Sequence, residues 1–509
     1  LCRDSHPALV TADGDYSYAW LREAAASVCE ELRERATFRA GDRVVLLAGN
    51  SPEYIAAFYG VLLAGGVVVP VPPDVEDDRL AHIIRVCDVN CVLTSSGVRP
   101  RRTLLENGGT RTVILRRGSG APHPDASRAE MDDLACILFT SGSTGAPKGV
   151  MLSHGNLLSN AATISKSLDI RNDDRALVVL PFYHAFGNSI LQTHVLTGAT
   201  LILDGSLAFP DSILDALNAH RATSFSGVPE VYQLLLARSS LGRRRVTSLR
   251  YMAVAGGALD ADAAQEVARR ITPARFHVMY GQTEATARLS CLRPELLAER
   301  CGSIGKGLDG VTLEVVDESD RPVRPGERGE IRARGPNVML GYWRDPVGTS
   351  RTLRRGWLYT GDWATVDADG FIYPLGRANG LVKLNGYRVH PSEVEQFVMR
   401  RLPFVRAIAV PYDAAEGGTR LALFIEPRVR GHEPAVADIE RLCRSGLPRH
   451  KVPRYVEIVN RFPLNAALKL DRVNLAQRAA QAAAPRLSLS DHNTRWRSPS
   501  VKGEPACLS

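Results

Sequence analysis

The sequence contains no CxxC pair, no His/Cys ligand spacing and no uninterrupted apolar run of membrane length. Its nine cysteines lie far apart, and Cys87 with Cys91 alone does not make a zinc site, so a reducing, cytoplasmic setting is expected. An uncharged stretch long enough to span a bilayer, Ile55 to Pro73, is interrupted by Gly60, Gly65, Gly66, Pro70, Pro72 and Pro73. It predicts a core helix followed by a buried strand. The aromatic-basic platform that a nucleic-acid-binding module requires is missing. A signal-peptide pattern is also missing, and a first residue of Leu1 instead of Met leads us to expect that the chain begins inside a longer natural one. Cys507 stands third from the end, which is not a prenylation box. There is no short internal repeat.

The 509 residues exceed what one hydrophobic core organises, so two or more domains are expected. A hydrophobic fraction of 45% and a charged fraction of 23% are those of an ordinary globular enzyme. The net charge of +8 favours anionic ligands. Basic residues are scattered except at Arg243–Arg245, read as a solvated face, with a nucleotide or carrier-protein contact as the sharper alternative. From Arg43 to Leu203, strand-like runs beginning at Val44, Val67, Cys91, Thr112, Leu177 and Thr200 alternate with helical patterns. This predicts an α/β fold of parallel sheets covered by helices, with a ligand at the strands' carboxyl ends.

The chain is organised around TSGSTGAPKGVMLSHGN, Thr140 to Asn156. The apolar run Ala135 to Phe139 predicts a buried strand feeding a loop, and Ser153 precedes a helical pattern. Gly142, Gly145 and Gly149 let backbone N–H groups approach anionic oxygens. Ser141, Ser143 and Thr144 add hydroxyl donors and Lys148 a positive charge. Polyphosphate fits that chemistry, and the spacing is not that of a Walker A loop. Further on, Tyr280 can present a ring to an adenine face, Thr283 can bond a phosphate oxygen and Glu284 can hold magnesium. Asp362, closing WLYTGD, can accept protons from both ribose hydroxyls.

Taken together, these stretches resemble the signature motifs of the acyl-adenylate-forming superfamily: acyl-CoA synthetases, aryl-CoA ligases, luciferase and peptide-synthetase adenylation domains. The resemblance runs from about Leu9 to Leu475. It implies a large N-terminal domain, residues 1–378, of two helix-covered sheets plus a distorted β-barrel, and a small mobile α+β C-terminal domain, residues 379–485. The polar stretch 486–509 reads as a disordered tail. His184, in LPFYHAFGNS, would lie beside the carboxylate being activated. That segment offers no acid to bind a substrate ammonium, so an acid without an α-amino group is expected. Phe186, Gly187, Val228 and Gly257 would border the acyl chain, with Phe186 narrowing the pocket and Gly257 and Gly281 widening it. Gly256 would flank the adenine, and Arg377 would bind ribose or phosphate.

The resemblance also gives a hinge near Asn379, where Asp or Lys is usual. Lys383 and Gly386 would serve thioester formation. Lys469 matches the adenylation lysine, although Leu468 replaces the customary glycine before it. Thr144 and Glu284 would hold the magnesium. The activity implied is ATP- and Mg2+-dependent activation of a fatty or aryl acid to an acyl-adenylate, then transfer to CoA. The alternatives are a carrier-protein phosphopantetheine as acceptor, a luciferase-like oxygenase, or a degenerate nucleotide-binding regulator.

Overall fold

The structure, a computed structural model, describes residues 4–34, 38–95, 111–114, 129–140, 147–205, 209–377, 382–384, 387–389, 391–402, 405–414, 418–427, 434–464 and 470–483. Two compact units are present: residues 1–381 with 428–433 and 461–471, and residues 382–427 with 434–460 and 472–509.

The larger unit holds two sheets of mixed direction. The seven-stranded one runs, in spatial order, Gly341–Tyr342, Lys148–Ser153, Leu134–Thr140, Val67–Val71, Arg43–Leu47, Cys91–Thr94 and Arg111–Ile114. Its central strands are parallel. Val67–Val71 is buried at all five positions, as expected for a strand covered on both faces. Alternation splits its neighbour between two cores: Val45 and Leu47 pack with Leu80, Ile83 and Cys87, while Val44 and Leu46 belong with Tyr54 and Phe58. The interrupted stretch forms helix Pro52–Leu63 and then strand Val67–Val71. Gly60 lies inside the helix, where a Cβ would stand 2.6 Å from Val28 Cβ, so it serves the close crossing of helix Tyr18–Arg33. Among the described residues, no helix is long and apolar enough to cross a membrane.

The nine-stranded sheet runs Lys306–Gly307, Ser290–Leu292, Arg275–Tyr280, Tyr251–Val254, Ser224–Gly227, Arg175–Leu177, Thr200–Ile202, Pro7–Thr11 and Gly14–Ser17. The strand expected to start at Leu177 ends there instead. Asn50 explains the shift: its amide donates to Leu180 O at 2.9 Å and its Oδ1 accepts from Phe182 N at 2.8 Å. One side chain thus replaces a ladder partner. A third, open antiparallel sheet of five strands supplies the barrel-like element: Thr312–Val316, Arg328–Arg334, Trp357–Val366 and Leu353–Arg354, with Ile372–Arg377 also paired to Trp357–Val366.

The smaller unit is α+β. Strands Val405–Asp413, Thr419–Pro427 and Tyr455–Ile458 form one sheet, and helices Pro391–Arg401, Val436–Gly446 and Arg472–Ala483 accompany it. Glu395, 8% exposed, accepts from Ala409 N and Arg472 Nη1, both at 2.9 Å, so its buried charge is satisfied.

Helix His154–Leu168 begins with a capping box, in which Ser153 Oγ accepts from Asn156 N and Asn156 Oδ1 accepts from Ser153 N. Ser153→Ala should lower the stability of the larger unit by about 1 kcal/mol, read as an earlier urea midpoint. An unchanged midpoint would show that this cap carries no weight.

Candidate active site

The first motif departs from the strand, loop, helix order expected of it. Leu134–Thr140 pairs antiparallel with Lys148–Ser153, Thr140 opposite Lys148, so the loop joins two strands and the helix follows only at His154. The intervening strand is real because Val150 and Leu152 alternate into the core, both fully buried. Gly149 belongs to this strand. A Cβ there would lie 2.9 Å from Ile137 Cγ2 and 3.2 Å from Trp343 Cβ, so packing alone already requires that glycine. Thr140 Oγ1 reaches Lys148 O at 3.5 Å. Ser141, Gly142, Ser143, Thr144 and Gly145 lie outside the described residues.

Lys148 Nζ stands 4.6 Å over the Tyr342 ring and 3.9 Å from Asp345 Oδ2. The Tyr342 hydroxyl in turn donates to Glu284 Oε1 at 2.8 Å. Burial, reinforced by the Glu284 charge, raises the Tyr342 phenol, so it remains a donor. The first motif's cation and the second motif's carboxylate are therefore joined through one tyrosine. Sequence reasoning passed over Tyr342, whose only signal was a GYW run in a turn-rich region.

The second motif is a turn folded back on itself. Strand Arg275–Tyr280 leads into a 3₁₀ turn at Thr283–Ala285. A Cβ on Gly281 would meet Ala287 O at 1.9 Å, so the closure of the turn requires a glycine there. The Tyr280 hydroxyl donates to Asp362 Oδ2 at 2.6 Å, and Arg377 Nε lies 3.4 Å from Asp362 Oδ1 across adjacent strands. Burial raises the Tyr280 phenol well above its usual range, and Asp362 adds to the effect.

The acyl-side residues follow the ends of neighbouring parallel strands. Val228, Gly256 with Gly257, and Gly281 follow within three residues the ends of strands Ser224–Gly227, Tyr251–Val254 and Arg275–Tyr280, which lie side by side. That is the carboxyl edge where an α/β sheet holds its ligands. Gly256 has φ +86°, a conformation that favours glycine, and a Cβ on Gly257 would touch Pro229 Cγ at 3.2 Å. His184 is the half-buried N-cap residue of helix Ala185–Thr197, its ring 4.8 Å from that of Tyr183. A Cβ on Gly187 would lie 2.0 Å from Pro181 O, so this position sets how closely the helix start approaches the preceding loop. Phe186 carries the Arg288 guanidinium 4.6 Å above its ring. Lys383 lies on strand Val382–Leu384 of the smaller unit. Asn379, Gly386, Leu468 and Lys469 lie outside the described residues.

Known proteins match this arrangement along the chain. The family described as AMP-binding enzyme matches residues 2–343. This chain is a member of the AMP-binding enzyme family. Feruloyl-CoA synthase from Amycolatopsis sp is 33% identical over 463 residues, 89% of this chain and 92% of that one. The 2-succinylbenzoate–CoA ligase of Bacillus cytotoxicus is 29% identical over 478 residues, covering 92% and 95%. Among solved structures, ATP-bound MatB from Rhodopseudomonas palustris superposes with TM-score 0.85 at 29% identity, covering 95% of this chain and 97% of that one.

This AMP-binding enzyme offers magnesium a suitable but sparse setting. Among the described residues, no group of three or more His, Cys, Asp or Glu side chains could hold a metal. Glu284 presents a hard carboxylate oxygen, bonded to Tyr342, which suits an ion that takes its remaining ligands from water and phosphate. The double role assigned to Gly281 can be separated by experiment. Gly281→Ala should destabilise the ligand-free protein by roughly 1–3 kcal/mol, lowering its melting temperature. A fully stable variant with an altered acid preference would restore the pocket-widening role.

Proposed function

We propose that this enzyme activates a fatty or aryl carboxylic acid lacking an α-amino group, using ATP and Mg2+, and transfers the acyl group to CoA. The relatives named above act as CoA ligases on carboxylic acids, and MatB was captured with ATP. The observation that carries the reading is the pair of linked carboxylates: Glu284 tied to Lys148 through Tyr342, and Asp362 tied to Tyr280 and Arg377. One combination suits a magnesium-bearing triphosphate. The other suits a ribose.

In the first half-reaction a carboxylate oxygen of the acid attacks the α-phosphorus of ATP, and pyrophosphate leaves. Lys148, Lys469 and the donors of Thr140, Ser141, Gly142, Ser143, Thr144 and Gly145 would hold the phosphates while charge develops. Magnesium, held by Glu284 and Thr144, would supply charge neutralisation on the phosphate oxygens. Thr283 would bond a phosphate oxygen, while Tyr280, Gly256 and Gly281 would frame the adenine and Asp362 and Arg377 the ribose. His184 would orient the acid, whose chain runs past Phe186, Gly187, Val228 and Gly257. No protein nucleophile is needed, because positioning suffices. In the second half-reaction the CoA sulfur attacks the acyl carbonyl and AMP leaves. Lys383 and Gly386 would serve this step, with a pivot near Asn379 separating residues 1–378 from 379–485. Free thiols at Cys29, Cys87, Cys136, Cys291, Cys301 and Cys443 support a cytoplasmic location.

Acid-dependent ATP–pyrophosphate exchange across fatty, aryl and amino acids tests the reading. Exchange with a non-amino acid, and acyl-CoA formation when CoA is added, is expected. Exchange confined to amino acids, or adenylate that ignores CoA, would refute it. Lys469→Ala should abolish exchange while sparing thioester formation from supplied acyl-adenylate. Equal loss of both would remove the lysine from the first step.

A further inference from the structure

Arg288 is the buried cation for which the reading above has no use. The residue is 2% exposed, and among the described residues Nε and Nη2 of its guanidinium have no hydrogen-bond partner. No carboxylate among the described residues lies within ion-pair distance of it. Its side chain is surrounded by the Phe186 ring and, within electrostatic reach, by Tyr232, Tyr251, Cys291, His194 and His277. The two histidines are neutral at pH 7, their imidazoles pushed down to about 4 chiefly by burial. His194 Nδ1 lies 2.9 Å from Ile190 O, which makes it the protonated nitrogen of the neutral ring. Burial lowers the guanidinium only to about 10, so Arg288 is charged at neutral pH.

A charge in such a place is costly. Removing an ion from water is unfavourable unless a counter-ion and hydrogen bonds replace the lost solvent, and a cation–π contact offsets only part of that loss. The backbone leaves this residue no escape. Asn160 Nδ2 donates to Arg288 O at 2.7 Å, Asn160 Oδ1 accepts from Arg288 N at 3.2 Å, and Asn337 Nδ2 donates to the same carbonyl at 3.1 Å. The backbone of Arg288 is thus fixed, and its guanidinium, a planar fork of donors, lies against Phe186 with Nε and Nη2 lacking an acceptor among the described residues. A carboxylate has the geometry and charge to fill that fork.

Resting on the ligase reading and on the place of Phe186 beside the acyl chain, we propose that Arg288 recognises a second, non-reacting carboxylate on the acid, making the substrate a dicarboxylic acid. The adenylated carboxylate stays at His184. The distal one pairs with the guanidinium, and an acid lacking it leaves a buried charge uncompensated.

The test uses ATP–pyrophosphate exchange with straight-chain monocarboxylic acids and their ω-dicarboxylic counterparts of equal length, and with benzoates bearing or lacking a second carboxylate. The wild type should prefer the diacid of the best pair by at least about 100-fold in kcat/KM. In Arg288→Met that ratio should fall to about one or below, and Arg288→Lys should retain part of it. The melting temperature of ligand-free Arg288→Met should match or exceed that of the wild type, since the variant removes an uncompensated charge. Monoacids used as well as diacids by the wild type would overturn the proposal while leaving the ligase reading intact. A melting temperature several degrees lower in Arg288→Met would assign the guanidinium to packing and overturn it too. Exchange with no acid of any class would overturn both readings.

Discussion

Two buried asparagine amides hold the turn on which the candidate site depends. Asn160 and Asn337, each 1% exposed, grip the backbone of Ala285 and Arg288, while the Thr286 hydroxyl donates back to Asn337 O at 2.7 Å. Thr286 itself takes φ +65°, which a threonine adopts only where its surroundings enforce it. With that turn fixed, Tyr280, Thr283, Glu284 and Arg288 have defined positions. Asn156, one helical turn before Asn160, donates to Pro336 O and Val338 O at 2.7 and 2.9 Å. The helix that follows the phosphate loop is therefore bonded to the segments supporting the second motif. Two stretches more than a hundred residues apart become one rigid body through side-chain amides.

This dependence explains what the sequence could and could not disclose. Strand Val67–Val71 and the core helix before it, Pro52–Leu63, were legible because burial writes itself as apolar runs bounded by glycine and proline. Tyr280, Glu284 and Asp362 stood out in the sequence as motif residues, and the fold bonds Tyr280 to Asp362 and Glu284 to Tyr342. The hairpin at Lys148 was not, because six residues of strand between a glycine-rich loop and a capped helix are too few to show a period of two. Asn156 and Asn160 did leave a trace: two asparagines at i and i+4 inside a helix, where the residue is a poor helix former. Tyr342 and Arg288 left almost none, since their meaning lies in partners such as Glu284 and Phe186, or in partners withheld.

Glycine showed the same division between local and tertiary causes. Gly256 is explained by its own backbone angle, a property that turn chemistry in the sequence can anticipate. Gly149, Gly187 and Gly281 have no positive φ, and each is demanded by another strand or carbonyl pressing where a Cβ would be. From sequence alone both kinds look like flexibility. In the fold, the second kind is the opposite, marking the most closely packed points around the site.

The electrostatics divide along the same line between fixed and exchangeable. Tyr280 to Asp362 and Tyr342 to Glu284 are short bonds from well-buried phenols, so they orient the carboxylates before any nucleotide arrives. The cations are held loosely. Lys148 approaches Asp345 only to 3.9 Å with both side chains about a third exposed, and Arg377 is 64% exposed at 3.4 Å from Asp362. Pairs of that kind contribute about 0–1 kcal/mol, less than a bound phosphate would return. A polyanion can therefore take over Lys148 and Arg377 without disturbing the two carboxylates, which on the proposed reading serve ribose and metal. Rigid acceptors with releasable cations are what a site needs if it is to bind a triphosphate, lose pyrophosphate and later let go of AMP.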